Sequence, residues 1–210
     1  MTEPERIFIL DDDVFILSLY RDMFENLGYK VFATTNAYQF LLYAKEIVPA
    51  IFILDINMPE LTGWEVMRRL AKEEILAGIP VVMMSVLADR ALAAEKGAAH
   101  YLTKPVKPEM LTEIVEAYCR GNKNHDVLLV EDYEPMQIPV KDKIIEKGWS
   151  CFEVNALRAA QSYLDKNTPK VVVVNLPGKL FAEAQKKLQH PKIYHLKSYE
   201  QIDEIEDLLK

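Results

Sequence analysis

The sequence has few of the features that mark membrane or secreted proteins. Its apolar runs stop at five residues, of which Ala50–Leu54 is one, whereas a membrane-spanning helix needs about 20. Its only two cysteines, Cys119 and Cys151, lie too far apart in the sequence to form a metal or redox motif. We therefore expect free thiols, a cytoplasmic protein and no membrane partner.

The chain also lacks an excess of positive charge. Lysine and arginine number 25 against 32 acidic residues, which gives a net charge of −7. Since neutralisation of phosphates supplies most of the affinity for nucleic acids, no nucleic-acid partner is expected. Half of the 210 residues are hydrophobic and 27% are charged, as in folded globular proteins. The length suits one large domain or two of about a hundred residues each.

One internal repeat, at an offset of 120 residues, organises the chain. The segment Ile7–Asp12 reads again as Val127–Asp132. The segment Pro49–Asp55 reads again as Pro169–Asn175. Two segments that recur at the same offset predict two homologous domains joined by a short polar linker.

The first copy, residues 1–121, alternates short apolar runs with amphipathic stretches. Runs without polar alternation are typical of parallel strands that helices cover on both faces. The runs are Arg6–Leu10, Lys30–Ala33, Ala50–Leu54, Pro80–Met84 and His100–Leu102. The helical patterns are Val14–Leu27, Ala37–Val48, Trp64–Ala77, Asp89–Gly97 and Pro108–Tyr118. This alternation predicts an α/β fold with a doubly wound five-stranded parallel sheet, and the second copy, residues 125–210, predicts a shorter α/β domain.

Acidic and polar residues follow the predicted strands, at the edge where such sheets carry function. In chain order they are Asp11, Asp12, Asp13, Asp55, Ser85 and Lys104. Carboxylates that converge repel each other unless a cation is present, and Mg²⁺ suits an all-oxygen cluster. An aspartate can attack phosphorus to give an acyl phosphate, and the lysine and hydroxyl would stabilise the transferring oxygens. The pattern predicts a site for a cation and a phosphoryl group.

The first copy resembles the receiver domain of two-component response regulators, of the CheY-like superfamily. The resemblance is carried by an ordered set of motifs, Ile9–Asp13, Leu54–Pro59, Thr62–Gly63, Met84–Ser85 and Tyr101–Pro105. It implies the flavodoxin-like receiver fold. It also implies that Asp55 is the phosphoacceptor, which receives its phosphoryl group from a histidine kinase. The expected protein is a switch with self-phosphorylation and self-dephosphorylation only, and not an enzyme in the usual sense.

The resemblance further implies a metal site. Asp12, Asp55 and the backbone carbonyl of Asn57 would bind Mg²⁺, and Asp11 would reach the ion through water. Asp13 is better interpreted as a loop or helix-cap residue.

Four more residues receive roles from the resemblance. Ser85 and Tyr101 match a switch pair, in which a hydroxyl follows the phosphoryl group and an aromatic ring turns inward. Lys104 would contact the phosphoryl oxygens, and Pro105 would be structural, after a cis peptide bond. The plainer interpretations are a turn serine for Ser85 and a packed strand residue for Tyr101.

The second copy has lost this chemistry. Asn175 stands where Asp55 would be, and an amide is a poor nucleophile without charge for a metal. No catalytic residue is therefore predicted in this copy, although Glu131 and Asp132 remain. The copy is also short by about one strand–helix unit. Its last apolar run, Lys192–Leu196, predicts a strand, with Lys197 as a candidate match for Lys104.

The expected function is that of a response regulator that signals through protein–protein contacts. Its partners would be a histidine kinase or phosphotransfer protein and an unknown downstream protein, and a homodimer stays open. One alternative is a phosphotransfer intermediate or phosphate sink without its own output. A Mg²⁺-dependent phosphohydrolase is disfavoured, because Asn57 stands where such enzymes usually place a second aspartate.

Overall fold

A computed structural model describes residues 4–86, 97–121, 125–131 and 140–209 of the chain. These residues fall into two compact units. The first contains the described residues up to 86 together with 100–119, and the second contains the others. The sequence-based domain limits of 1–121 and 125–210 stay a prediction. Most of the predicted helix Asp89–Gly97 and residues 122–124 of the predicted linker lie outside the described residues.

The first unit is built on a five-stranded parallel sheet with the strand order β2-β1-β3-β4-β5. Its strands are β1 (Arg6–Leu10), β2 (Lys30–Thr34), β3 (Ile51–Asp55), β4 (Val81–Ser85) and β5 (His100–Thr103). Its described helices are α1 (Val14–Asn26), α2 (Ala37–Ile47), α3 (Gly63–Leu70) and α4 (Pro108–Cys119). The predicted doubly wound α/β fold is confirmed. The strand order reverses between β1 and β3, so a crevice is expected at their carboxyl ends.

Side-chain caps define where the helices of this unit begin. The Asp13 carboxylate accepts hydrogen bonds from the backbone N–H groups of Phe15 and Ile16, which confirms that it is a helix cap. Asn36 caps α2 in the same way. Thr62 and Glu65 form a capping box at the start of α3, and hydrogen bonds from Thr62 lower the pKa of the Glu65 carboxyl. The α3 helix ends at Leu70 and is thus shorter than the predicted segment Trp64–Ala77.

The core of the first unit lies on both faces of the sheet. Every residue of β3 and of β4 is buried, as expected for central parallel strands. Three phenylalanine rings, from Phe8, Phe40 and Phe52, form a cluster with centroid distances of 5.6 to 6.3 Å. Burial of such rings is worth roughly 1.5–3 kcal/mol each. The sheet is therefore a rigid support for the residues that follow its strands.

The second unit is a shorter α/β fold with a four-stranded parallel sheet in the order β7-β6-β8-β9. Its strands are β6 (Val127–Glu131), β7 (Cys151–Val154), β8 (Val171–Asn175) and β9 (Ile193–His195). Its helices are α5 (Val140–Glu146), α6 (Leu157–Leu164), α7 (Gly178–Lys187) and α8 (Ile205–Leu209), the last preceded by a 3₁₀ helix (Tyr199–Glu204). The order repeats that of the first four strands of the first unit. The second, shorter α/β domain is thereby confirmed.

The place of β9 corrects one expectation from the sequence. The run does form a strand, but it pairs with β8 and so takes the position of β4, not of β5. Val174 pairs with His195 as Leu54 pairs with Met83. Lys197 therefore stands at the position of Ser85, and its predicted match to Lys104 is wrong. Apolar spacing predicts that a strand exists, whereas its neighbour depends on contacts distant in the chain.

No helix among the described residues is long and apolar enough to cross a membrane.

Candidate functional site

Three predicted site residues meet at the carboxyl ends of β1 and β3. Asp11 and Asp12 follow β1, Asp55 ends β3, and one carboxylate oxygen from each lies within 4.8 Å of the others. Asp11 is fully buried and Asp55 is 3% exposed, whereas Asp12 faces solvent. The strand register explains why these carboxylates lie close together, because β1 and β3 pair directly and end at the same edge of the sheet.

The Lys104 side chain joins the two buried carboxylates. Its Nζ lies 2.7 Å from Oδ2 of Asp11 and 2.9 Å from Oδ1 of Asp55. Burial lowers the pKa of the Lys104 ammonium, but the hydrogen bonds to Asp11 and Asp55 outweigh it, so that this pKa is raised overall. Burial raises the pKa of the Asp11 carboxyl, against hydrogen bonds from Lys104 and from the backbone N–H of Asp13. The ammonium thus compensates charges that the fold buries.

The position of Lys104 follows from the pairing of β4 with β5. Ser85 pairs with Thr103, and the backbone N–H of Lys104 donates to the Ser85 carbonyl at 2.7 Å. The Lys104–Pro105 peptide bond is cis, as the resemblance implies. These contacts hold the lysine at the edge where β3 ends.

Ser85 and Asn57 occupy the same edge in different environments. Ser85 is 1% exposed at the end of β4. The neighbouring β3 is held there by a hydrogen bond from the backbone N–H of Ile56 to the Met84 carbonyl, at 2.9 Å. Asn57 is exposed in the loop between β3 and α3. The structure therefore brings Ser85 to this edge, and it leaves the Asn57 side chain in solvent.

Tyr101 lies inside the fold, in β5, and is 6% exposed. Its ring stacks on the ring of Trp64, the second residue of α3, with centroids 6.5 Å apart and an angle of 15° between the planes. The sequence places Trp64 only within a predicted helical segment, Trp64–Ala77. Trp64 is half-buried, and its contact with Tyr101 joins residues 37 positions apart, for which a single sequence carries no signal.

The start of α3 rests directly on the backbone of Asp55. A Cβ atom at Gly63 would lie 2.2 Å from the Asp55 carbonyl oxygen, so only glycine fits at this close approach. The Gly63 N–H also donates to the Ile56 carbonyl at 3.1 Å. The loop between β3 and α3 is therefore tight because backbone meets backbone.

We expect Gly63→Ala to lower the unfolding free energy of the first unit by about 2–3 kcal/mol, since backbone atoms must shift to admit the methyl group. Gly78→Ala is the matched control, because nothing lies within 4 Å of its added Cβ. Urea unfolding followed by Trp64 fluorescence in a Trp149→Phe background measures both. Equal stability of the two variants would contradict the close approach.

The second unit places an amide where the first has the Asp55 carboxylate. Asn175 ends β8, pairs with Glu131 and donates from Nδ2 to Glu131 Oε2 at 3.1 Å. Glu131 is 7% exposed. Burial, with a smaller effect of Glu153, raises the pKa of the Glu131 carboxyl to about 7. The neighbouring acid of the repeat, Asp132, lies outside the described residues.

This raised pKa predicts a pH dependence of stability. Because folding raises the Glu131 pKa from 4.5 to about 7, the second unit should lose stability as the pH rises across that interval. Glu131→Gln keeps an oxygen acceptor for Asn175 and removes the titration. The unfolding free energy of Glu131→Gln minus that of the wild type should therefore increase by on the order of 2–3 kcal/mol between pH 4.5 and 8.

Urea unfolding at several pH values tests this, followed by Trp149 fluorescence in a Trp64→Phe background. Trp149 packs against the core of the second unit and so reports on it. The exposed Glu146→Gln is the control and should run parallel to the wild type. If the unfolding free energy of Glu131→Gln also runs parallel to that of the wild type across this pH range, burial of Glu131 does not cause the pH dependence.

The donor set of the first unit fits a hard divalent cation. Asp11, Asp12 and Asp55 supply carboxylate oxygens, which Mg²⁺ prefers, and one of the three faces solvent, from which the ion would enter. Among the described residues these three are the acidic group whose spacing suits a metal.

Comparison with known proteins agrees with this geometry. The family model of the response regulator receiver domain matches residues 7–116. The polar-differentiation response regulator DivK of Brucella anthropi is 30% identical over 118 residues, which cover 55% of this chain and 96% of that protein. The match thus spans nearly all of DivK and about half of this chain.

Solved structures match the same fold. The chemotaxis protein CheY4 of Vibrio cholerae superposes with a TM-score of 0.52 at 22% identity, covering 55% of this chain and 98% of that one. The receiver domain of the sensor histidine kinase PA1611 of Pseudomonas aeruginosa gives a TM-score of 0.51 at 21% identity, with the same coverage. That domain was solved with a magnesium ion coordinated in its active site cleft. Through its first unit, this chain belongs to the response regulator receiver domain family.

Proposed function

We propose that the chain is a two-component response regulator that accepts a phosphoryl group on Asp55 from a histidine kinase or phosphotransfer protein. The observation that carries this proposal is the position of the Asp55 carboxylate. It ends β3 at the sheet edge, 2.9 Å from the Lys104 ammonium and beside the carboxylates of Asp11 and Asp12. A nucleophile, a cation-binding group and a positive charge thus share one edge.

The proposed chemistry is an in-line displacement at phosphorus. A carboxylate oxygen of Asp55 forms the new P–O bond while the P–N bond of the donor phosphohistidine breaks and its imidazole leaves. Lys104 would stabilise the charge on the transferring oxygens, and the Ser85 hydroxyl would donate a hydrogen bond to them. Asp11, Asp12, Asp55 and the Asn57 carbonyl would hold Mg²⁺, which when bound supplies further positive charge to the phosphoryl group.

The output is proposed to be a protein–protein contact made in the cytoplasm. Both cysteines are buried thiols outside any disulfide, as suits a reducing compartment. The second unit would not accept phosphate, because Asn175 occupies the acceptor position. We assign it the role of a contact surface for a downstream protein, in keeping with a switch that has no enzymatic output.

Intact-mass spectrometry tests the proposal. After incubation with Mg²⁺ and a small phosphodonor such as acetyl phosphate, the wild type should gain one phosphoryl group, and peptide mapping should place it on the segment that contains Asp55. Omission of Mg²⁺ should greatly reduce the gain. An unchanged mass under all conditions would end the proposal. Capture of a partner only by the phosphorylated chain would argue for a switch rather than a phosphate sink.

A further inference from the structure

The Trp64–Tyr101 stack connects two segments that both contact the acceptor. On one side, Trp64 follows Gly63, whose Cα lies so close to the Asp55 carbonyl that no Cβ fits. On the other side, Tyr101 lies three residues before Lys104, whose ammonium contacts the Asp55 carboxylate at 2.9 Å. The stack therefore closes a ring of contacts that begins and ends at Asp55.

Both arms of this ring are short and firmly held. The α3 arm is fixed by the hydrogen bond from the Gly63 N–H to the Ile56 carbonyl and by the capping box of Thr62. The β5 arm is fixed by its pairing with β4 and by the hydrogen bond from the Lys104 N–H to the Ser85 carbonyl. A shift at Asp55 that moves either arm must change the contact between the two rings.

We propose that Trp64 is a positioning residue that keeps the Tyr101 ring buried and thereby holds β5 and Lys104 ready for a phosphoryl group on Asp55. This inference rests on the proposed function of Asp55. The stack favours the arrangement in which the lysine contacts Asp55. By reciprocity, a phosphoryl group that contacts the lysine must in turn change the stacking of the two rings.

Fluorescence tests whether a phosphoryl mimic at Asp55 changes the stack. The protein has two tryptophans, Trp64 and Trp149, so Trp149→Phe leaves Trp64 as the only indole. Beryllium fluoride with Mg²⁺, a mimic of an aspartyl phosphate, should then change the Trp64 emission. The change should vanish when Asp55→Asn is added. Unchanged emission in a protein that demonstrably binds the mimic would overturn the inference.

The affinity for the phosphoryl mimic tests whether Trp64 positions Lys104. Trp64→Leu removes the stack, and because aromatic pairs contribute beyond their buried area, we expect affinity for beryllium fluoride, followed by NMR, to fall about three- to tenfold. Trp64→Phe keeps an aromatic ring and should restore affinity to within about twofold. A purely structural role would lower the stability of both variants and leave affinity unchanged.

The outcomes separate this inference from the proposed function. Failure of the wild type to bind the mimic would refute the phosphoacceptor role itself. Equal affinity of the wild type and Trp64→Leu would refute the positioning role alone. If Trp64→Leu does not fold, the emission of Trp64 in the Trp149→Phe variant still confirms or overturns the coupling.

Discussion

Asp55→Asn is expected to abolish phosphorylation of the chain. The amide that replaces the carboxylate is a weak nucleophile and carries no charge for a cation or for the Lys104 ammonium. Asparagine is also nearly isosteric, so the variant should stay folded. Intact-mass spectrometry with Mg²⁺ and acetyl phosphate should show no gain in mass where the wild type gains one phosphoryl group.

Asp13→Asn is the matched control for this substitution. Asp13 belongs to the acidic run Asp11–Asp13 that follows β1, but its side chain caps α1, a role that asparagine performs equally well. It should be phosphorylated like the wild type. Equal phosphorylation of Asp55→Asn and the wild type would place the acceptor elsewhere.

The reverse substitution in the second unit should not create an acceptor. Asn175→Asp would set a carboxylate beside the buried Glu131, with Lys197 at the position of Ser85 and no described residue at the position of Lys104. Two neighbouring carboxylates without a bridging cation raise each other's pKa, which favours a protonated and unreactive pair. Phosphorylation of Asp55→Asn/Asn175→Asp would contradict this.

Lys104→Met is expected to lower the unfolding free energy of the first unit by about 3 kcal/mol at pH 7 in metal-free buffer. The substitution leaves the buried carboxylates of Asp11 and Asp55 without their ammonium partner. Urea unfolding followed by Trp64 fluorescence in a Trp149→Phe background measures this loss. Saturating Mg²⁺ should restore part of it, because a cation at the three carboxylates replaces the missing charge.

The pH dependence of this loss has a defined sign. The raised pKa of Lys104 means that its contribution in the wild type is complete below its ordinary value of 10.5 and is lost as the pH rises above it. In Lys104→Met the penalty should shrink in acid, as the Asp11 carboxylate, whose pKa burial raises, becomes protonated.

Lys45→Met is the control for Lys104→Met. Lys45 pairs with Glu73 at 2.6 Å, but both side chains are at least 41% exposed. Solvent screens such a pair, so the cost should stay below about 1 kcal/mol. A cost for Lys104→Met no larger than this would show that burial of the carboxylates does not matter.

Much of the candidate site can be predicted from the sequence because its residues follow strands. Asp11, Asp55 and Ser85 each come directly after or at the end of an apolar run, and parallel strands bring such positions to one edge. The repeat likewise exposes Asn175 as the substitute for Asp55. The helix-cap role of Asp13 could be predicted for a similar reason, since caps depend on residues within one turn.

The contacts between distant elements became visible only in the folded protein. Apolar spacing records which side of a strand or helix is buried, but it does not record which element covers that side. For this reason β9 could be predicted as a strand while its pairing with β8, and hence the position of Lys197, could not. The same holds for the Trp64–Tyr101 stack and for the approach of Gly63 to the Asp55 carbonyl, where packing across the sheet selects the partners. Local sequence thus specifies the chemistry at each strand end, and non-local packing specifies the distances at which these groups act.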